Sequence, residues 1–107
     1  MDSLQDHNVD GIIYVQGTLS LSELASALAS YCRTEADDLG NIETDSLSLS
    51  VCRNPDRGGS FATYEAIVEF ETSGQEDQIA AIALVRDLGS YLRTRLHAIE
   101  IVSEYLN

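Results

Sequence analysis

Few residues of this 107-residue chain are of the types that carry catalysis or bind metals. The two histidines, His7 and His97, have no acid or thiol at the spacing of a catalytic triad or a zinc site. Lysine is absent, which excludes a P-loop lysine and lysine Schiff bases. The sequence therefore predicts no catalytic residue, no metal site and no cofactor.

Carboxylates are the chemically active groups that the chain has in number. Glu65, Glu69, Glu100 and Glu104 could act as paired acid and base or bind calcium if adjacent strands brought them within about 5.5 Å. The two strands that carry them are not expected to be neighbours, and the spacing of a calcium-binding loop is missing. We therefore interpret these acids as binding charges and not as catalysts.

The overall charge is strongly negative. Eighteen carboxylates oppose six cations, all of them arginine, for a net charge of −12. Such a field repels nucleic acid, whose binding depends on Lys and Arg at the phosphates. Three explanations stay open: solubility, adaptation to a salty cytoplasm, or a surface for a cationic partner.

The N-terminal residues 1–10 are polar and acidic, and we interpret them as a flexible acidic leader. A signal peptide has a basic start and an apolar middle, and a membrane helix needs an apolar run of about 18 residues. Neither pattern is present, so we expect a cytoplasmic protein without a membrane partner. Cys32 and Cys52 are expected to be free thiols for the same reason.

Hydrophobic periodicity divides the rest of the chain into strands and helices. Two capping boxes mark the predicted helix starts, and a loop rich in Pro, Asp and Gly marks a hairpin. The predicted elements are a strand over 12–16, a helix from Ser20 and Glu23, a strand over 46–52, a hairpin loop over 54–59, a strand over 62–70 whose even-numbered residues face the helices, a helix from Ser73 and Glu76 to about 96, and a strand over 99–102.

This order, β-α-β-β-α-β, is typical of an α+β ferredoxin-like split βαβ sandwich, with a four-stranded antiparallel sheet and two helices on one face. We expect residues 11–107 to form a single domain of this kind, with the last strand beside the first, then the third, then the second. The fold hosts many unrelated activities, so it does not decide the function. Its second sheet face is left to solvent or to a partner.

That second face carries the main candidates for partner binding. RNA-recognition domains of the same topology present aromatic and basic residues there, whereas this chain presents acids. We therefore expect a protein partner with a basic surface; a merely solvated face is the plain alternative. The candidate residues are Tyr14, Gln16, Glu65, Ile67, Glu69, Glu100 and Glu104.

Two further contact sites are predicted. Arg53 and Arg57 flank the turn of the hairpin and could meet an anion or an acid of a partner. The second helix has more apolar residues than one sheet can cover, and the surplus strip of Ile79, Ile82 and Ala83 suggests a twofold homodimer.

Two functional hypotheses follow. The first is a non-enzymatic acidic protein-interaction module, such as an inhibitor, an immunity-type protein or an assembly factor, that presents its acidic sheet face to a partner. The alternative is a dimeric regulatory domain that senses a small molecule. Its ligand would lie at residues 17–20, where the helix N-terminus offers backbone amides to an anion.

Overall fold

The computed structural model describes residues 10–44, 47–55, 62–72, 78–96 and 98–103, in which five strands and two helices follow one another. Both helices are flanked by strands in the chain, as the periodicity predicts. The elements are β1 (Asp10–Gln16), α1 (Leu21–Tyr31), β2 (Asn41–Glu43), β3 (Leu47–Arg53), β4 (Ala66–Thr72), α2 (Gln78–Arg93) and β5 (Ala98–Val102).

All five strands form one antiparallel sheet in the order β2-β3-β4-β1-β5. The α+β class, the two helices and the antiparallel sheet are thus confirmed. The predicted number of four strands is wrong, because the short strand β2 pairs with β3 and extends the sheet. The other four strands, β5-β1-β4-β3, lie in the predicted order.

One apolar cluster joins the sheet to both helices. Ile13 and Val68 are directly opposite each other on β1 and β4, and both are fully buried. Leu28 of α1 and Leu88 of α2 belong to the same cluster and are also fully buried. Burying a side chain of this size contributes about 1.5–3 kcal/mol, so this side of the sheet holds the main core.

Helix α1 begins at the predicted capping box. The Ser20 hydroxyl accepts the Glu23 backbone N–H at 3.1 Å, and the Glu23 carboxylate accepts the Ser20 N–H at 2.9 Å. The bond from the Ser20 amide lowers the pKa of Glu23, since it stabilises the charged form. The second predicted capping box, at Ser73 and Glu76, lies outside the described residues.

A tight loop explains the strand that the sequence analysis missed. The Asp37 carboxylate accepts the backbone N–H groups of Asn41 at 2.8 Å and Leu39 at 2.9 Å, and the bond from Asn41 is the main cause of its lowered pKa. Gly40 has the left-handed φ of 83° that this turn needs. The chain is thereby turned back along β3, with Ile42 fully buried.

The third predicted strand begins later than expected. Val15 lies opposite Ala66, yet its carbonyl accepts the N–H of Glu65 at 3.1 Å. Two successive residues, Glu65 and Ala66, therefore face the single residue Val15. Such an irregularity interrupts the alternation of a strand. The even-numbered pattern therefore holds from Ala66 to Phe70, and Ala62 and Tyr64 precede the strand.

The ends of the predicted domain are described in part. Strand β1 begins at Asp10, so this residue of the predicted leader is part of the sheet, while residues 1–9 lie outside the described residues. The predicted hairpin loop lies outside them from residue 56 onward.

Neither described helix is long and apolar enough to span a membrane.

Candidate functional site

The face of the sheet opposite the helices, here called the open face, is defined by the strand register. Residues directly opposite each other in neighbouring strands share a face and lie side by side. One row across this face comprises Asp10, Glu71, Ser48 and Glu43, and the next comprises Val102, Ile12, Glu69, Ser50 and Asn41. A third row comprises Glu100, Tyr14, Ile67 and Cys52.

The first two rows line a concavity of about 670 Å³, here called the acidic groove. Its charged residues are Asp10, Glu43, Glu69 and Glu71, which come from three strands. Ser48, Ser50 and Asn41 add polar groups, and Ile12 and Val102 form an apolar wall. Val102 is 43% exposed, so this wall is open to a partner.

The acids of the groove face one another, and no described residue that lines the groove is a cation. Asp10 and Glu71 are directly opposite, where Cβ atoms are about 4.5–5.5 Å apart and like charges destabilise the pair. Within the described part of the chain, the carboxylates of Asp10, Glu69 and Glu71 accept no hydrogen bond. Only the Glu43 carboxylate is bonded, to the Ser48 hydroxyl at 2.7 Å.

The described arginines lie elsewhere. Arg33, Arg86, Arg93 and Arg95 belong to the two helices or follow directly on their ends, and Arg95 donates to the Tyr91 hydroxyl at 3.1 Å. Arg53 ends β3, three residues beyond Ser50 in the groove, which is about 10 Å along a strand. The described cations are therefore on the helix side or beyond the groove.

The other end of the open face is covered by the chain itself. The Gln16 amide donates to the Thr63 carbonyl at 3.2 Å, and the Glu65 carboxylate accepts the Gly17 N–H at 3.2 Å. The Tyr64 ring lies 6.0 Å from the Tyr14 ring. The prediction that Tyr64 faces the helices is therefore wrong, because Tyr14 is an open-face residue.

The predicted partner-binding residues thus do not form one site. Glu69 lies in the acidic groove, and Glu100 is exposed in the neighbouring row. Gln16 is bonded to Thr63 and Glu65 to Gly17, and Ile67 is only 3% exposed. Glu104 and Arg57 lie outside the described residues, while Arg53 is exposed.

The predicted dimer strip is partly exposed. Ile79 is 79% exposed and Ala83 is exposed one turn later on α2, whereas Ile82 is half-buried and packs against the core. The homodimer stays a prediction.

Two carboxylates from outside residues 17–20 already accept backbone amides at this predicted ligand position. Glu65 accepts the Gly17 amide and Glu23 accepts the Ser20 amide, while the Glu23 amide is bonded to the Ser20 hydroxyl. An anionic ligand would have to compete with these internal acceptors for the amides. The small-molecule sensor stays a prediction.

The described residues offer little for metal binding or thiol chemistry. Among the described residues no group of three or more His, Cys, Asp or Glu side chains is arranged to hold a metal ion. Both cysteines are free, and burial raises the pKa of the Cys32 thiol. The pKa of the Cys52 thiol is also raised, mainly by burial and less by the negative charge of Glu69. A raised thiol pKa means little thiolate at neutral pH and low reactivity.

Three groove acids were not among the sequence-based candidates. Glu71 follows the alternation of β4 and could have been chosen from it. Asp10 is the first residue of β1 and Glu43 is the last residue of β2. Asp10 was predicted to belong to the leader, and no strand was predicted at Glu43. Their convergence depends on the register across four strands.

No protein-family model, no curated protein and no solved structure matches this chain.

Proposed function

We propose that this protein is a non-enzymatic interaction module that binds a basic partner protein at the acidic groove. We further propose that its architecture is a ferredoxin-like split βαβ sandwich to which β2 has been added as an edge strand. The observation that carries the functional proposal is the convergence of Asp10, Glu43, Glu69 and Glu71 on one concave surface.

The physical support is the unfavourable state of the groove acids in the free protein. Like charges that face one another raise the free energy of the fold, and a cation placed among them lowers it. A partner therefore gains at this position both a direct attraction and the relief of internal repulsion. The same field steers a basic protein toward the groove from a distance.

The apolar wall favours a side chain over a bare metal cation as the group that enters. Arginine and lysine pack their aliphatic stems on apolar surface while the charged head remains with polar groups. Ile12 and Val102 are placed to contact such a stem, and Glu69 is the acid directly beside Ile12. The site thus suits a basic side chain of a protein.

A charge-matched pair of variants tests the proposal. The groove variant carries Asp10→Asn, Glu69→Gln and Glu71→Gln. The control variant carries three neutral substitutions of exposed acids away from the groove, namely Glu35→Gln, Asp38→Asn and Asp87→Asn. Each variant removes three negative charges, so total charge is the same in both.

We expect a basic protein captured at low salt by the wild-type chain to be retained by the control variant and lost by the groove variant. Binding should weaken as salt is added, because exposed charges are screened. Equal loss in both variants would mean that net charge alone binds the partner, which would contradict a specific site. Retention by both would contradict the proposal altogether.

The small-molecule sensor is addressed by a separate measurement. A panel of amino acids and organic acids should leave the melting temperature unchanged, because the Gly17, Ser20 and Glu23 amides at the predicted ligand position are already bonded. A clear rise with one compound would favour the sensor over the interaction module.

A further inference from the structure

The two edges of the sheet differ in how well they are protected. At one edge, β2 has only three residues, and Ala36 forms an antiparallel bridge with Ile42 on its outer side. At the other edge, β5 pairs with β1, and none of the described segments pairs with its outer side. An unprotected edge strand is a template for pairing with another chain.

The register shows which backbone groups of β5 point outward. The Val15 carbonyl bonds to Glu65, so Val15 directs its backbone groups toward β4, and its neighbour Tyr14 directs them toward β5. Tyr14 lies opposite Glu100, which therefore points inward to β1. Ile99 and Ile101 alternate with Glu100 and direct their N–H and C=O groups to the outer edge.

The side chains of β5 indicate what an added strand must present. Ile99 and Ile101 lie on the helix side and are half-buried, whereas the residues opposite them, Val15 and Ile13, are 3% and 0% exposed. Further apolar side chains beside the two isoleucines would complete this layer. On the open face β5 exposes Glu100 and Val102, and Glu100 calls for a cation.

We infer that the basic partner, whose binding at the acidic groove is the proposed function on which this step rests, adds an extended segment to the outer edge of β5. In this segment apolar residues alternate with arginine or lysine. The apolar residues lie beside Ile99 and Ile101, and the cations lie on the open face beside Glu100. Backbone hydrogen bonds supply affinity and the alternation supplies specificity.

A second copy of this chain is a poorer occupant of the same edge. It would bring another Glu100 onto the open face, and each chain has a net charge of −12. Charge complementarity therefore selects a basic strand over β5 of a second molecule.

The test uses a short capped peptide in which valine and arginine alternate, and two N-methylated forms of it. In the inferred pose the valines lie opposite Ile99 and Ile101, so valine amides point toward β5 and arginine amides point away. Methylation of the valine amides blocks pairing, and methylation of the arginine amides leaves it intact. Charge and side chains are the same in all three peptides.

We expect the valine-methylated peptide to bind at least about tenfold more weakly than the unmodified one, because several backbone hydrogen bonds are lost. The arginine-methylated peptide should bind as the unmodified one does. By NMR, hydrogen exchange of the Ile99 and Ile101 amides should slow when the unmodified peptide binds.

Three results would overturn the inference. Equal binding of all three peptides would mean attraction by charge without strand addition, and this would leave the proposed function intact. No binding of any peptide at low salt would exclude this edge as the docking position, whatever the groove variant shows. A dimer that the peptide dissociates in sedimentation experiments would assign the edge to a second copy.

Discussion

The two ends of the open face are built from the same strands and similar residue types, but they are used in opposite ways. At the covered end, the carboxylate of Glu65 accepts the Gly17 amide, and Gln16 donates to Thr63. At the groove end, the Asp10 and Glu71 carboxylates lie side by side and, within the described part of the chain, accept no hydrogen bond. One end is completed by the protein itself, whereas at the other end none of the described cations lies among the acids.

The type of a residue on a sheet face therefore does not determine its role. A glutamate within reach of a backbone N–H stabilises the fold, whereas a glutamate opposite another acid destabilises it. Only the second kind leaves charge available for a partner. The comparison also separates Glu65 from Glu69, which the sequence analysis treated alike.

The largest expected effect concerns burial at the covered end. Ile67→Ala should lower the free energy of unfolding by about 2–4 kcal/mol, because Ile67 is 3% exposed and its loss leaves a cavity. Ile12→Ala, at the wall of the groove, is the matched control and should cost less than about 1 kcal/mol, since Ile12 is only half-buried. Urea denaturation measures both, and equal costs would erase the distinction between the two ends.

A smaller loss is expected from Glu65→Gln. This change removes the charge that strengthens the hydrogen bond from the Gly17 amide, so the protein should lose about 0.5 kcal/mol of stability. The bond is exposed, which keeps the effect modest. A stabilising effect in urea denaturation would show that Glu65 behaves as a groove acid does.

The same substitution at the groove end should have the opposite sign. Glu71→Gln relieves the repulsion with Asp10 and should raise stability by about 0.5 kcal/mol at low salt. The gain should shrink in high salt, because salt screens the repulsion in the parent protein. A gain that did not depend on salt would point to a cause other than charge.

The weakest effect is expected for Glu23, whose carboxylate, like that of Glu65, accepts a backbone amide. It should appear as a change in the pH dependence of stability. The bond from the Ser20 amide lowers the pKa of Glu23 in the folded protein. The contribution of the ionised Glu23 to the free energy of unfolding is therefore complete above the ordinary glutamate pKa. The contribution is lost as pH falls through the lowered folded-state value. Glu23→Gln should therefore reduce stability at neutral pH and make the acid side of the stability curve shallower, as measured by thermal denaturation.

Local features were predictable from the sequence. The capping box of α1 depends on two residues three apart, and the alternation of Leu47, Leu49 and Val51 with polar residues needs only one strand. The predicted start of α1 agrees with the structure and the predicted end of β3 agrees to within one residue, because the determining contacts lie within a few residues.

Features that combine distant residues were missed or placed wrongly. Strand β2 has a single buried residue, Ile42, which is too short a pattern for a period of two. The irregular pairing at Val15 shortened β4 from its predicted start and moved Tyr64 beside Tyr14. Nothing in the local sequence marks either event, because both depend on what the neighbouring strand offers.

The α+β class, the two helices on an antiparallel sheet and the strongly acidic charge were predictable without the structure, because periodicity and composition are local or summed properties. Which acids converge and which are bonded internally depends on how the strands pair in three dimensions. Gln16 and Glu65 find partners 47 and 48 residues away, and the groove needs the register of four strands. Such contacts are set by strand pairing, in which a shift of one residue moves every side chain to the other face.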